Sequence, residues 1–221
     1  MMTLRRPAAR AAAVVAAVLS VALTAGPGAD AASTTVRDAT GDLYSLTGQP
    51  PTKVSGPDGD ITSVTTRHGR RHVTITVRAR HLSLDQTLLL AKVRTGPTGP
   101  AYFFSGTADI GMRVALMSKG QQRLVVCPGI RMVFRPARGY VEAVIPRTCL
   151  GSPRWIRAGA ALATTDSLIK SLGSDDGFDP AGGDGEEPSG TIDVAGVATL
   201  TQTQLGGYSA ALPLGPKVRM G

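Results

Sequence analysis

From residue 35 to residue 165 short apolar runs recur at nearly regular intervals, separated by Gly, Pro and Asp, and this pattern predicts an all-β domain. The clearest run is His72 to Arg80. Val73, Ile75, Val77 and Ala79 fall on one face of it, and Thr74, Thr76, Arg78 and Arg80 on the other. It should form a hairpin with the run Asp60 to Arg67 across the turn His68-Gly69-Arg70-Arg71. Ile61 and Val64 break strict alternation, so the first of these strands is expected to carry a bulge or to change face.

Further strands are expected at Thr87–Arg94, Ala101–Ser105, Gly111–Met117, Arg123–Cys127, Ile130–Phe134, Tyr140–Ile145 and Arg154–Ala163. Hairpin-length gaps and no helical segment between them indicate an antiparallel β-sandwich of about eight or nine strands. A closed barrel has the same periodicity and stays open as an alternative.

The pattern changes after Asp166, so the sandwich is assigned to residues 32–166. Ser171 to Gly190 carries six carboxylates (Asp175, Asp176, Asp179, Asp184, Glu186, Glu187) and a single aromatic, Phe178, too little to order a core. Residues 167–191 are therefore expected to be a flexible acidic loop or linker. A C-terminal extension, 192–221, opens with a strand-like stretch, Ile192 to Leu200, that could add to a sheet.

At the other end, Arg5, Arg6 and Arg10 precede an uncharged run from Ala11 to Ala25, and Ala29-Asp30-Ala31 suits a signal peptidase. Residues 1–31 are thus expected to be a signal peptide, and the mature protein to be secreted and extracellular. No cysteine at the leader's end and no sorting signal around Leu212-Pro213-Leu214-Gly215 imply no membrane anchor in the mature form. Cys127 and Cys149 then meet oxidising conditions and are expected to form a disulfide worth about 3 kcal/mol, two buried thiols being the alternative.

The net charge is +8 for the whole chain. Arginine outnumbers lysine 19 to 5 and asparagine is absent, a bias of high-GC coding, so the basic balance alone does not indicate a partner. Arg78 and Arg80 are nonetheless expected on one outward face near the Arg70-Arg71 turn, where an anionic extracellular polymer could meet them. The compartment, and the lack of aromatics among these charges, argue against nucleic acid.

Catalytic signatures such as Gly-x-Ser-x-Gly, His-Glu-x-x-His and a phosphate loop are absent. His68 and His72 flank the basic turn and are expected to be solvated. The best constellation is Asp38-Ala-Thr-Gly-Asp42 with Asp58-Gly-Asp60. Aspartates in glycine-containing loops at a sandwich rim can supply oxygens to calcium, so Asp38, Asp42, Asp58 and Asp60 are candidate calcium ligands. The same residues also serve as ordinary turn formers.

The string Val36 to Asp42, the step Asp60-Ile61-x-x-Val64 and the strand Val73 to Val77 resemble the opening of DOMON-like and family 9 carbohydrate-binding-module-like sandwiches. Pro146-Arg147-Thr148-Cys149-Leu150-Gly151 resembles a segment of small secreted actinobacterial proteins. The resemblance implies the sandwich fold and a ligand that is a sugar or haem. Trp155, the only tryptophan, is the candidate stacking platform, although a strand-edge role suits it too. Haem would need axial Met or His, for which Met112, Met117, Met132 and His72 serve equally as core filler or turn residues.

The expectation is therefore a secreted non-catalytic binding or structural module that recognises a cell-wall or extracellular glycan. The alternative is a secreted hydrolase with paired carboxylates drawn from Asp38, Asp42, Asp60, Asp109 and Glu142, which would have to converge in a cleft.

Overall fold

The computed structural model of the chain describes residues 31–45, 52–56, 58–83, 87–97, 101–108, 111–118, 121–164, 191–194 and 212–221. The expected leader and acidic loop lie almost entirely outside these residues.

Fourteen strands make up the described chain: β1 (Ala32–Arg37), β2 (Leu43–Ser45), β3 (Thr52–Val54), β4 (Ile61–His68), β5 (His72–Ala79), β6 (Thr87–Arg94), β7 (Ala101–Thr107), β8 (Gly111–Ser118), β9 (Gln121–Leu124), β10 (Arg131–Arg135), β11 (Tyr140–Pro146), β12 (Trp155–Thr164), β13 (Thr191–Val194) and β14 (Val218–Arg219). One sheet has the order β1-β4-β5-β11-β10. The other runs β3-β2-β13-β12-β6-β7-β8-β9, with β14 also paired to β12. Every strand pair is antiparallel, so the chain is an all-β protein of two antiparallel sheets. Among the described residues no helix is long and apolar enough to cross a membrane.

The apolar alternation read from the sequence is the inner lining. Ile61, Val64, Val73, Ile75, Val77, Val141, Ala143 and Ile145 from the five-stranded sheet meet Leu89, Ala91, Val93, Phe104, Ile156, Ala158, Ala160 and Leu162 from the larger one. Burying each of the larger aliphatic side chains is worth about 1.5–3 kcal/mol, which makes this inter-sheet layer the main source of stability. The β4–β5 ladder shifts register between Ile61 and Ser63, so of the two outcomes that the spacing of Ile61 and Val64 leaves open, a bulge or a change of face, the chain takes the bulge.

The disulfide Cys127–Cys149 is formed, with the two Cα atoms 5.6 Å apart. Cys127 lies where the chain leaves β9 of the larger sheet for β10 of the smaller, and Cys149 lies in the turn after β11. The bridge therefore fixes a crossover between the sheets.

The end of the chain belongs to the sandwich. β13 pairs with β12 over Ala161–Thr164, and β14 pairs with Trp155 and Ile156 of the same strand. Between these two strands Gly215 N–H donates to the Ala158 carbonyl at 2.8 Å, and the Arg157 guanidinium donates to the carbonyls of Gly215 and Leu214. Gly159 permits this approach, since a Cβ there would stand 1.9 Å from the Pro213 carbonyl oxygen.

His68 corrects an expectation. It is fully buried rather than solvated, because it ends β4 on the inner face, with Nδ1 3.3 Å from the Val218 carbonyl oxygen. Desolvation lowers its pKa; the Val218 bond opposes the shift and Arg147 adds to it. His72 is exposed, and His81 pairs with Asp58.

Candidate metal centre

The chain passes from β1 in the smaller sheet to β2 in the larger through residues 38–42. Asp38 opens this crossover, its N–H donating to the Thr62 carbonyl at 3.1 Å. Gly41 turns the chain with φ +78°, a conformation glycine adopts without strain. Its N–H donates to Asp60 Oδ1 at 2.9 Å. Asp42 follows and is 2% exposed.

Asp193 comes from the far end of the chain. Opposed residues of an antiparallel pair share a face, and Asp193 is opposite Leu162 of the core. Asp193 therefore sits on the inner face of the larger sheet, fully buried, where an aliphatic residue would be usual. Its Oδ2 accepts the Ile61 N–H of β4 at 2.5 Å, which links the two sheets.

Asp38, Asp42 and Asp193 each bring a carboxylate oxygen within 4.8 Å of the others. Both Asp42 oxygens and Asp193 Oδ1 are buried, and no other described residue donates a hydrogen bond to them. Burial pushes the Asp42 carboxyl upward, opposed by its own N–H and by Lys53, with Asp60 adding to the rise. Asp193 is pushed up to about 7, first by burial, against the Ile61 bond, and further by Asp38, Asp42 and Asp60. Leaving buried charges uncompensated is costly, and a bound cation removes that cost.

The donor set suits a hard cation, since every ligand is a carboxylate oxygen. Calcium holds oxygens at about 2.3–2.6 Å, giving a shell roughly 5 Å across that can accommodate the spread of these three.

Of the four aspartates that the sequence nominated, the structure brings Asp38 and Asp42 together. Asp60 is adjacent but engaged, holding Gly41 and lying 3.4 Å from the Arg80 guanidinium. Asp58 stands apart, about 62% exposed and paired with His81. Sequence reasoning missed Asp193. Its signal was an aspartate inside a strand-like stretch, Thr191-Ile192-Asp193-Val194, but nothing local tied it to residues some 150 positions earlier.

The other nominated residues are dispersed. Arg78 is exposed on the outer face of β5, while Arg80 lies just past the strand and reaches Asp60 instead. The Arg70-Arg71 turn is at the opposite end of the hairpin, roughly 20 Å from Arg78, so the expected cluster does not form. Trp155 is half-buried at the start of β12, and the Lys217 ammonium covers its ring at 4.4 Å. Asp109 and Met112 fall where side chains are not described. No protein-family model, curated protein or solved structure matches the chain.

Proposed function

We propose that this chain is an exported, non-catalytic β-sandwich module that binds calcium through Asp38, Asp42 and Asp193 and presents its outer surface to an extracellular glycan. The observation that carries the calcium site is the pair of buried aspartates, Asp42 and Asp193, with carboxylate oxygens to which no other described residue donates. The ion would join the β1–β2 crossover to β13. It would thereby clamp the sheets, and the returning end of the chain, at one rim.

The carboxylates do converge, as a glycosidase requires, but they do so where Asp42 and Asp193 are buried. A glycosidase needs its acids flanking a cleft that admits a sugar ring. Glu142, on β11, is occupied by a 2.9 Å hydrogen bond from the Thr76 hydroxyl. The DOMON-like or family 9 carbohydrate-binding-module-like affinity belongs to this proposal, supported by the antiparallel two-sheet fold.

The test is thermal unfolding of the mature chain with calcium, with magnesium and with chelator. A ligand held only by the folded state raises the midpoint, by about 2.7 kcal/mol of stability at a hundredfold excess over Kd. Calcium should raise it well beyond magnesium, which needs tighter octahedral geometry. Identical midpoints with millimolar calcium and with chelator would sink the calcium site.

A further inference from the structure

The outer face of the five-stranded sheet carries an ordered basic array. Side chains opposite one another across antiparallel strands share a face, so the register lays out three rows. One end row reads Arg37, Ser63, Arg78, Tyr140, Arg135 across β1, β4, β5, β11 and β10. The middle row reads Thr35, Thr65, Thr76, Glu142, Val133, and the other end row Ser33, Arg67, Thr74, Val144, Arg131.

All five arginines are exposed, and none is in an ion pair among the described residues. The one carboxylate on the face is Glu142, which accepts from Thr76. In the first row the arginines fall on alternate strands, so their Cα atoms are roughly 10 Å apart along a line. The Arg78 guanidinium lies 5.5 Å from the centroid of the Tyr140 ring, which places an aromatic between two cations of the row. Thr35 and Thr65 hydroxyls, 2.9 Å apart, continue a polar strip beside it. Coding bias can explain many arginines, and others lie elsewhere on the chain, but it does not explain why the five on this face are accompanied by a single acid, Glu142, which is itself hydrogen-bonded to Thr76.

From this array we infer that the face is a docking surface for a linear acidic polysaccharide bearing uronate carboxylates. The inference rests on the reading of the chain as an exported glycan-binding module and names its ligand class and surface. Guanidinium forks match carboxylates in a bidentate geometry. The tyrosine ring and the threonine hydroxyls suit sugar rings and their hydroxyl groups, features that a polyol-phosphate chain or a polyphosphate would leave unused. Five like charges on a flat surface also attract a polyanion from a distance, and salt weakens that attraction.

The experiment is affinity electrophoresis of the mature chain through polygalacturonate, with dextran and polyphosphate as separate arms, at low and moderate salt. Wild type should be retarded by polygalacturonate in a salt-sensitive manner and not by dextran. The triple variant Arg37→Gln/Arg78→Gln/Arg135→Gln should lose binding on the order of tenfold. Arg154→Gln/Arg219→Gln, exposed positions just before β12 and on β14, should bind as wild type. If the triple variant unfolds early, Arg67→Gln/Arg131→Gln reads the same face from its other end.

No retardation at low salt, an equal loss in the Arg154/Arg219 control, or binding to polyphosphate without polygalacturonate would each overturn the assignment. The calcium midpoint shift is read on the same samples. An intact shift without polymer binding defeats this inference alone, whereas a missing shift defeats the metal site.

Discussion

Asp193→Asn separates a carboxylate that holds the fold from one that holds a cation. A carboxyl moved from 3.8 to about 7 opposes folding by on the order of 4 kcal/mol once the pH is well above 7. The proton is bound by the folded chain and not by the unfolded one between those two values. In chelator, wild-type stability should therefore rise as pH falls from about 7 toward 4.

Asparagine keeps an oxygen for the Ile61 N–H, turns a donor toward Asp38 and Asp42, and removes one buried charge. In chelator at pH 7.5 the variant should melt above wild type, by as much as roughly 10 °C for a domain of this size. In millimolar calcium the order should reverse, because wild type gains binding energy that the variant has lost. Scanning calorimetry at pH 7.5 and pH 5, with and without calcium, reads all of this. A variant less stable than wild type in chelator and in calcium alike would show that Asp193 serves the Ile61 bond alone and would refute the reasoning.

His68 should act in the opposite sense. Its folded pKa is depressed, so the stability it contributes at neutral pH is lost as pH falls below 6.5, and His68→Gln should flatten that decline in urea titrations made in the Asp193→Asn background. Gly159→Ala drives a methyl group against the Pro213 carbonyl, and should cost about 1–3 kcal/mol and expose residues 212–221 to limited proteolysis. Replacing Cys127 and Cys149 by serine should lower stability by about 3 kcal/mol in denaturant titrations, and reduction of the native chain should do the same.

What the residues determine by themselves is the local pattern. Alternation fixes which side chains of His72–Ala79 and Tyr140–Pro146 turn inward, because the side-chain period of a strand is two wherever the strand pairs. The break near Ile61 shows in the same period, which leaves a bulge or a change of face open, and the disulfide is expected from two cysteines taken together with the predicted leader. Short strands escaped this reasoning: β2 and β3 have three residues each and β14 has two, too few to show a period. β1 alternates Ala32, Thr34 and Val36 inward, too weak an apolar signal to stand out.

His68 was misread because its neighbours made it a turn residue, whereas the ladder extends to it and β14 covers it. The candidate site was half legible. Asp38 and Asp42 lie in one loop, but their third partner arrives on β13, whose place between β2 and β12 depends on long-range pairing. The arginine array has the same origin: Arg37, Arg78 and Arg135 are scattered along the chain and become one row only through the register of three successive ladders and a fourth at the edge. Alternation selects a face within each strand, but only sheet order and register decide which faces are joined, and hence where charges gather.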